Sequence, residues 1–393
     1  MRLLVVALPG SIHTARDLKL IADLGWDVHL FPALNLGVHD EISGVTIHLE
    51  PGSVAEELPM GNHVVRHEGG PPGGLTPLER AELLAEVIRE LEPDLIHSME
   101  LGRAGYLTLG AKRSFGPGFP VWVAQDWGMD ISLHHRIPEQ RAHLRGLLAE
   151  CDCYWAECQR DAAHARALGF EGEIGPALPV TGGYDLEHCD GLAEPGPVSA
   201  RSAITVKGIS TGVYRAGTVL SALERKRELL AGRRLQLYSA TADIAERGAA
   251  LGSDAGAEVA VLSTAAEPVA HDEILAAHGR SRVSMASQLG DGICTSALDA
   301  LVMGSFPIFS DTGCGCEWAV RGRDAAFAGP DDVDGMAAAL ERALTDDELV
   351  DRAAARNRRT AARHLDRAAI AALRVEFYER AAADGVRRGH DRR

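Results

Sequence analysis

Apolar and polar positions follow a strand–helix–strand pattern at the start of the chain. Residues 3–6 form a short apolar run, a helical stripe covers residues 13–24 and ends at Gly25, and residues 27–31 again favour a strand. Short β-branched runs and a 3.6-residue apolar period are the signals of these two element types. The pattern therefore predicts a βαβ unit with a right-handed crossover and a parallel sheet.

The next helix has a clear start in the sequence. Residues 33–74 are irregular and rich in glycine and proline, which predicts loops over the sheet edge. Thr76 and Glu79 then form a capping box with Pro77 at the first helical position, and an apolar stripe follows over residues 84–91. Further strands are expected at residues 94–97 and 121–125. The first half of the chain thus continues the α/β pattern.

A second region with the same plan follows an aperiodic stretch at residues 187–200, which predicts an interdomain linker. Short β-rich runs separated by helical stretches occupy residues 204–206, 235–238, 259–262, 282–285 and 306–309. We therefore expect an α/β protein with two Rossmann-like domains and mostly parallel sheets, at residues 1–186 and 201–366. A C-terminal helix and basic tail at residues 367–393 is expected to pack back on the first domain.

Composition narrows the range of functions. The chain has 393 residues, of which 46% are apolar, and this is enough for two cores of ordinary size. Its 40 basic and 56 acidic side chains give a net charge of −16, which argues against a nucleic-acid partner. No stretch approaches the roughly 20 apolar residues of a membrane span, and the first apolar run is too short for a secretory signal. We therefore expect a cytoplasmic protein without an integral membrane segment.

The cysteines favour neither disulfides nor a metal site. Their number, seven, is odd, and without an export signal this predicts reduced thiols. The two cysteine groups, at residues 151–158 and 314–316, do not have the spacing of zinc knuckles. We therefore expect no bound metal.

The segment at residues 287–318 carries the most specific pattern. A Gly-Asp-Gly turn at residues 290–292 precedes a helix, which Thr295 or Ser296 is expected to cap and Gly304 to end. The start of such a helix presents free amide groups, which bind a diphosphate without a metal. The residues expected to hold a nucleotide there are Gly292, Ile293, Cys294, Thr295 and Ser296.

Two aspartates belong to the same pattern. Asp299 lies about one turn into the helix, where its carboxylate is placed to accept hydrogen bonds from ribose hydroxyls. Asp291 lies eight positions earlier, in the turn, and is expected to face a sugar. The alternative is that Asp291 is only a turn residue and that Asp299 lies on a solvated face.

Four more residues stand out in the second half. Lys207 directly follows a predicted strand, and Arg215 lies eight positions later in a glycine-containing loop. A site that releases a diphosphate needs positive charge, which lysine supplies as a point charge and arginine as a bidentate fork. A surface salt bridge is the alternative for each. Tyr238 and Ser239 end a further strand, where they are placed to contact a nucleotide base.

Candidate residues in the first half lie at the ends of predicted elements. Gly10 and Ser11 follow the first strand, where a glycine allows close approach to a diphosphate or an acceptor, although a plain turn explains both nearly as well. His97 and Glu100 are expected at the carboxyl end of a later strand, the edge where open α/β sheets bind ligands. His13, at the start of the first helix, competes with His97 for a role.

The segment at residues 287–318 resembles the C-terminal signature of the retaining glycosyltransferases of family 4. In that signature, two acidic residues eight positions apart flank the donor-binding loop and precede the motif EAMAMGxxPI. Here Asp291 and Asp299 have this spacing, and the sequence continues as ALVMGSFPI. Asp299 stands where the family usually has glutamate, so its side chain is one methylene shorter than usual.

Weaker similarities to the same family occur in the same order along nearly the whole chain. They are PGSIHT at 9–14, DLIHSME at 94–100, WGMDI at 127–131, TGGYDL at 181–186 and TVKGISTGVYRAG at 205–217. The last of these carries the family's paired cations as Lys207 and Arg215.

The resemblance implies the GT-B fold, in which two Rossmann-like domains face a central cleft. It also implies transfer of a sugar, with retention, from a nucleoside diphosphate sugar to a small-molecule, saccharide or lipid-linked acceptor. Uridine is the commonest nucleoside among the family's donors. The implied mechanism is a front-face displacement without a carboxylate nucleophile, a cofactor or an obligatory metal.

The resemblance also assigns roles to individual residues. Lys207, Arg215, Asp291, His97 and Asp126 are expected to be catalytic, and Asp126 lies where many relatives have a histidine. The residues expected to bind the acceptor are His13, Glu100, Trp127 and Asp130. Two alternatives use the same fold: an enzyme that converts a sugar phosphate or a nucleotide sugar, and a non-catalytic subunit that binds a nucleotide sugar.

Overall fold

The chain divides into two compact units. The computed structural model describes residues 1–53, 58–69, 74–264 and 266–391, with side chains up to residue 383. The first unit comprises Met1–Gly183 and Arg367–Arg393, and the second comprises Tyr184–Asp366.

Eight parallel strands build the sheet of the first unit. They are β1 (Arg2–Ala7), β2 (Asp27–Pro32), β3 (Thr46–Leu49), β4 (His63–Arg66), β5 (Leu95–Met99), β6 (Val121–Gln125), β7 (Cys153–Trp155) and β8 (Glu173–Ile174). Their order in the sheet is β4-β3-β2-β1-β5-β6-β7-β8. The helices between them are α1 (Ile12–Lys19), α2 (Pro77–Leu91), α3 (Tyr106–Phe115), α4 (Pro138–Leu148) and α5 (Gln159–Ala167).

Six parallel strands build the sheet of the second unit. They are β9 (Ala203–Lys207), β10 (Arg234–Tyr238), β11 (Glu258–Val261), β12 (Ser281–Ala286), β13 (Phe306–Ser310) and β14 (Ala326–Ala328). Their order is β11-β10-β9-β12-β13-β14. The helices are α6 (Leu186–Leu192), α7 (Ala216–Arg225), α8 (Ala242–Ala255), α9 (His271–Arg280), α10 (Thr295–Met303), α11 (Val333–Thr345) and α12 (Asp347–His364).

The last helix, α13 (Arg367–Asp391), belongs to the first unit. Its Arg374 guanidinium is fully buried, contacts the Asp17 carboxylate on α1 at 2.5 Å, and lies 4.4 Å from the centroid of the Trp155 ring. A cation this deep in a core needs such a partner, because an unpaired buried charge is costly. The helix extends beyond residue 383, and the side chains of the basic tail, 387–393, lie outside those that the structure describes.

Both faces of the first sheet are buried at its centre, as parallel sheets require. Leu4 and Val6 of β1 pack toward α2, whereas Leu3 and Val5 pack toward α1 and α13. The near-continuous apolar runs of the strands follow from this two-sided burial.

The structure differs from the predicted elements in three places. The stretch at residues 187–200 is not an extended linker, because most of α6 lies in it and Cys189 is buried in the second unit. Residues 33–74, expected to be loops, contain the strands β3 and β4. The first helix ends at Lys19 instead of residue 24 and is followed by a separate short turn. At residues 33–74 and 187–200, contacts with distant strands or helices override a weak local signal.

Each sheet has one point where the strand order reverses, between β1 and β5 in the first unit and between β9 and β12 in the second. Open α/β sheets bind ligands outside the carboxyl ends of the strands at such a point. None of the helices in the described part of the chain has the length and apolar character that crossing a membrane requires.

Candidate functional site

The loops after β9 and β12 are joined at the reversal point of the second sheet. The Arg215 amide donates to the Ser287 carbonyl at 2.8 Å, and the Leu289 amide donates to the Val213 carbonyl at 2.8 Å. Tyr214 and Gln288 pair between them in antiparallel fashion. This short ladder fixes the loop that follows Lys207 against the loop that leads to residues 290–292.

Lys207 is the cation at this point. Its Nζ atom lies 4.7 Å from the centroid of the Tyr214 ring. Burial alone would lower the pKa of Lys207, but the neighbouring acidic groups outweigh burial and the pKa is raised. These groups are Cys294, Tyr214, Asp291 and Asp299. Lys207 therefore carries a full positive charge at neutral pH, next to the loop that was predicted to hold the diphosphate.

The helix after that loop starts slightly earlier than predicted. Cys294 occupies the N-cap position, so Thr295 and Ser296 are the first helical residues and do not cap the helix. The first intrahelical bond closes from the Ala297 amide to the Cys294 carbonyl at 2.9 Å. The amides of Thr295 and Ser296 precede that bond and point out of the helix start, as an anion site requires. The helix ends at Gly304, which has a φ of 82°.

Asp291 and Asp299 have different environments. Asp291 is half-buried and accepts a hydrogen bond from the side-chain amide of Gln288. Asp299 is only 2% exposed, so it does not lie on a solvated face. Its Oδ1 atom accepts the Tyr184 hydroxyl at 2.8 Å and faces His271 Nε2 at 3.1 Å.

These partners keep Asp299 ionised. Burial would raise the pKa of its carboxyl, but His271, His278 and the Tyr184 hydroxyl outweigh burial and lower the pKa to about 2. Because Oδ1 already accepts protein hydrogen bonds, the predicted ribose contact would have to use Oδ2.

Arg215 does not join Lys207 in this structure. Its guanidinium donates to the carbonyls of Gly212 and Tyr214 at 2.8 and 3.1 Å, and it lies 3.5 Å from the Asp331 carboxylate. The side chain thus folds back on its own loop. The sequence placed the two cations in one loop, but the loop directs only Lys207 toward Asp291.

The two strand-end residues of β10 also differ from expectation. The Tyr238 hydroxyl is buried and donates to Ser296 Oγ at 2.5 Å. It therefore stabilises the first turn of α10 from the interior of the unit. Ser239 has a φ of 50°, and its amide donates to Ser263 Oγ at 2.9 Å. Tyr238 therefore has no exposed ring face with which to contact a base.

In the first unit, two carboxyl groups meet at the reversal point between β1 and β5. Glu100 directly follows β5 with a φ of 77°, and its Oε1 atom accepts the amides of Arg103 and Ala104. Asp130 accepts the amides of Leu101 at 2.7 Å and Trp127 at 3.0 Å.

Gly102 shows how close the two carboxyl groups are. A Cβ atom at that position would lie 3.0 Å from Glu100 Oε2 and 3.6 Å from Asp130 Oδ1. Both oxygens therefore border the same side of a residue without a side chain. Glycine leaves this space open.

Burial raises the pKa of both groups, and a nearby carboxylate raises each further. Burial and the nearby Asp130 carboxylate raise the pKa of Glu100 to about 7, and burial raises the pKa of Asp130 to about 6. Two such groups titrate as a pair, which holds about one proton near neutral pH. The pair can accept or release a proton within the physiological range.

Asp126 differs from this pair because no part of it reaches the surface. Burial and the carboxylates of Asp161 and Asp130 raise its pKa well above the usual range. The predicted catalytic role of Asp126 is therefore corrected to an interior one.

His97 is also an interior residue. It lies in the middle of β5, not at its end, and it is fully buried. Its Nδ1 atom faces the Tyr378 hydroxyl of α13 at 2.7 Å, and its ring stacks on Trp155 at a centroid distance of 5.9 Å. Burial lowers the pKa of His97 well below its usual range, so the ring is neutral. The prediction of a catalytic His97 is corrected for these reasons.

The structure does bring the predicted acceptor residues together. The His13 and Trp127 rings meet edge to face at 5.7 Å, and the Trp127 amide donates to Asp130. Asp130 in turn lies beside Glu100. Four residues from α1 and from the loops after β5 and β6 thus form one group.

The turn between β1 and α1 borders this group. Ser11 caps α1 by accepting the His13 amide at 3.2 Å. A Cβ at Gly10 would lie 3.1 Å from the Gly37 carbonyl oxygen, so glycine allows this turn to approach the neighbouring loop.

Three residues that hold the two aspartates of the second unit were not singled out in the sequence. Tyr184 binds Asp299 and lies within TGGYDL, and Gln288 binds Asp291 and lies within the segment at residues 287–318. His271, which also faces Asp299, lies outside every motif. Gln288 had one usable signal, since it is a polar residue two positions after a buried strand.

No protein-family model matches this chain. No curated protein matches its sequence. Similarity appears among solved structures. Sucrose-phosphate synthase from Thermosynechococcus elongatus superposes with a TM-score of 0.70 and 14% identity over 98% of this chain and 100% of the other. The α,α-trehalose 6-phosphate synthase of Burkholderia multivorans superposes with a TM-score of 0.71 and 13% identity over 100% of this chain and 98% of the other.

A third similar structure is Anabaena HepE in complex with UDP-glucose. It has a TM-score of 0.67 and 14% identity over 96% of this chain and 99% of the other. At these identities the likeness concerns the fold. The chain has the α/β fold of the GT-B glycosyltransferases, as the sequence predicted.

Proposed function

We propose that this chain is a glycosyltransferase that takes a hexosyl or N-acetylhexosaminyl group from a nucleoside diphosphate sugar, preferably a UDP-sugar. The observation that carries the proposal is the arrangement at the reversal point of the second sheet. Lys207, the open start of α10 and Asp291 lie together there. The fold supports it, since HepE was solved with UDP and with UDP-glucose.

The donor diphosphate would bind at the start of α10. The amides of Thr295 and Ser296 would bind its oxygens, and Lys207 would oppose the negative charge that develops as the diphosphate leaves. This stabilisation comes from fixed protein groups. We therefore propose a reaction that needs no metal or other cofactor.

Retention is proposed from the family resemblance. In the front-face route the leaving phosphate helps to take the acceptor proton, so no carboxylate nucleophile is assigned. Asp291 would bind a hydroxyl of the donor sugar, and Asp299 would support the nucleotide through its Oδ2 atom.

The acceptor would bind to the first unit, at the group formed by His13, Glu100, Trp127 and Asp130. An indole beside two carboxyl groups suits a hydroxyl-rich ring, because the indole packs on C–H faces while the carboxyl groups bind hydroxyls. Small-molecule, saccharide and lipid-linked acceptors all meet this requirement.

Calorimetry tests the donor side directly. UDP, UDP-glucose and UDP-N-acetylglucosamine would be titrated into the protein with and without EDTA, with ADP- and GDP-sugars as comparison. We expect saturable binding of a UDP-sugar that EDTA leaves unchanged. Absence of binding by every nucleotide sugar would refute the proposal, and turnover of a nucleotide sugar without any acceptor would favour a converting enzyme.

A further inference from the structure

Gln288 is bonded through both its main chain and its side chain at the reversal point of the second sheet. It follows β12 and is 3% exposed. We propose that Gln288 is a positioning residue that sets the orientation of the Asp291 carboxylate toward the donor sugar, an inference that rests on the proposed function of this site.

The backbone of Gln288 is held from two sides. Its amide donates to Ser310 Oγ at 3.0 Å, and its carbonyl accepts the Thr312 hydroxyl at 2.6 Å. It also pairs with Tyr214 in the short antiparallel ladder. Loops after β9, β12 and β13 therefore converge on one residue, which leaves its main chain little freedom.

The side chain of Gln288 spans the turn that contains Asp291. Its Nε2 atom donates to Asp291 Oδ2, and its Oε1 atom accepts the Cys294 thiol at 3.9 Å. These two contacts define the amide orientation, because only the nitrogen donates and only the oxygen accepts. One buried side chain thus links the carboxylate to the N-cap of α10.

The backbone of the turn constrains the position of Asp291 less than the Gln288 side chain does. Asp291 lies between two glycines, whose backbones have wide conformational freedom. The loop after β13 packs against the turn, since a Cβ at Gly313 would lie 3.4 Å from the Gly292 carbonyl oxygen and 3.6 Å from Asp291 Cβ. That packing limits the backbone conformation of the turn. The orientation of the Asp291 carboxylate is instead set by its hydrogen bond with the side-chain amide of Gln288.

Loss of the Gln288 contact should affect turnover more than nucleotide binding. A misdirected carboxylate would still permit the diphosphate to bind at α10, but the sugar would lie away from its reactive position. Errors of this kind reduce the rate by up to about 100-fold. Gln288 should therefore affect kcat and leave the affinity for the free nucleotide nearly unchanged.

The test uses Gln288→Met, which keeps the side-chain length and removes the amide donor. Gln236→Met is the matched control, because Gln236 is a fully buried amide of the same unit that bonds Thr205, Ala277 and Ser281. With UDP-glucose as donor, we expect Q288M to lower kcat about 10- to 100-fold. The Kd of UDP should change less than about threefold, and Q236M should keep kcat near the wild-type value.

A double-variant cycle separates positioning from general damage. If Gln288 acts through Asp291, then Q288M in an Asp291→Asn background should reduce kcat no further than D291N alone. Multiplicative losses, or full activity of Q288M, would overturn the proposal.

Structures of the unliganded variants provide a readout that does not depend on turnover. We expect the Asp291 carboxylate to be displaced in a crystal structure of Q288M and to keep its position in Q236M. A wild-type protein that binds no nucleotide sugar would refute the proposed function alone. An unmoved Asp291 in Q288M would overturn the positioning role alone.

Discussion

The two units bury acidic side chains at the same kind of place but with opposite results. In the first unit, Glu100 and Asp130 face each other, and the pKa of each is raised, to about 7 and about 6. In the second unit, Asp299 is equally buried, yet its pKa is lowered to about 2. Glu100 directly follows a strand and Asp299 lies within α10, but the carboxyl groups are similarly buried. The neighbours differ.

The difference shows that burial alone does not set the charge of a carboxyl group. Desolvation raises the pKa of all three, but Asp299 accepts a tyrosine hydroxyl and faces His271, whereas Glu100 faces another acid. The first unit is consequently able to exchange a proton near neutral pH. The second holds fixed charges of both signs, which suits binding of a nucleotide diphosphate.

The largest expected effect comes from removing the cation of the second unit. Lys207→Met leaves the acidic groups around it without their positive neighbour and removes the charge that would oppose a leaving diphosphate. We expect kcat/KM for a UDP-sugar to fall by about two to three powers of ten. Steady-state kinetics would measure this.

Lys226→Met is the control, since Lys226 is a lysine of the same unit that pairs with Glu341 at 2.5 Å. It should retain most of the activity. If K207M had the kinetics of the wild type, Lys207 would have no role in the reaction. The second unit would then not depend on a fixed positive charge, as the comparison of the two units supposes.

The second prediction concerns the pH dependence of the first unit. Because the pKa of Glu100 is about 7 in the folded chain and its ordinary value is 4.5, the folded chain keeps a proton that the unfolded chain loses. The stabilisation from this group is therefore complete below pH 4.5 and is lost as the pH rises to 7.

Glu100→Gln removes this loss because the amide stays neutral. Relative to wild type, E100Q should gain about 2–3 kcal/mol of unfolding free energy between pH 5 and pH 8. Urea unfolding followed by tryptophan fluorescence at several pH values would measure the difference. Glu90→Gln, at an exposed position on α2, serves as the control and should parallel the wild type. If the unfolding free energy of E100Q changed with pH in the same way as that of the wild type, the pKa of Glu100 would not be raised in the folded chain.

The smallest effect tests the partners of Asp299. Tyr184→Phe removes a hydroxyl that donates to an ionised buried carboxylate, and we expect a loss of about 2 kcal/mol at pH 7. Tyr238→Phe removes a buried hydroxyl whose acceptor is the neutral Ser296, and it should cost about 1 kcal/mol.

The difference in stability between Y184F and Y238F should depend on pH in a defined direction. Because the pKa of Asp299 is lowered from 3.8 to about 2, its stabilisation is present above pH 3.8 and is lost as the pH falls toward 2. The excess cost of Y184F over Y238F should therefore shrink between pH 4 and pH 2 in urea titrations. An equal cost for both variants at pH 7 would indicate that Asp299 is not the charged acceptor.

Much of the fold was readable from local patterns. The strands at β1, β2, β5 and β6 and those from β9 to β13 follow apolar runs of ordinary length, and Thr76 and Glu79 form the capping box that the sequence predicted. The strands β3 and β4 were missed because they are only four residues long and the edge strand β4 is exposed throughout. Their hydrogen bonds with neighbouring strands, not their composition, define them.

The candidate site was predictable only in part. Glycines, a capped helix and acids at fixed spacing led to Asp291, Asp299 and Lys207, because anion binding at a helix start has a local sequence pattern. Arg215 lies in the predicted loop and His97 in the predicted strand, although not at its end, and the direction of each side chain depends on distant groups. Arg215 turns to Asp331, and His97 turns to Tyr378 of the last helix.

The sequence by itself determined most of the longer strands and helices in their order, the two-unit plan and the loop at the start of α10. These depend on periodicity and on backbone preferences within a few residues. Only the tertiary structure decided which side chains are charged and where they point. Tyr184 and Asp299 are 115 positions apart, and their hydrogen bond helps to hold one acid ionised. Protonation depends on such neighbours, which folding brings together from separate strands and helices.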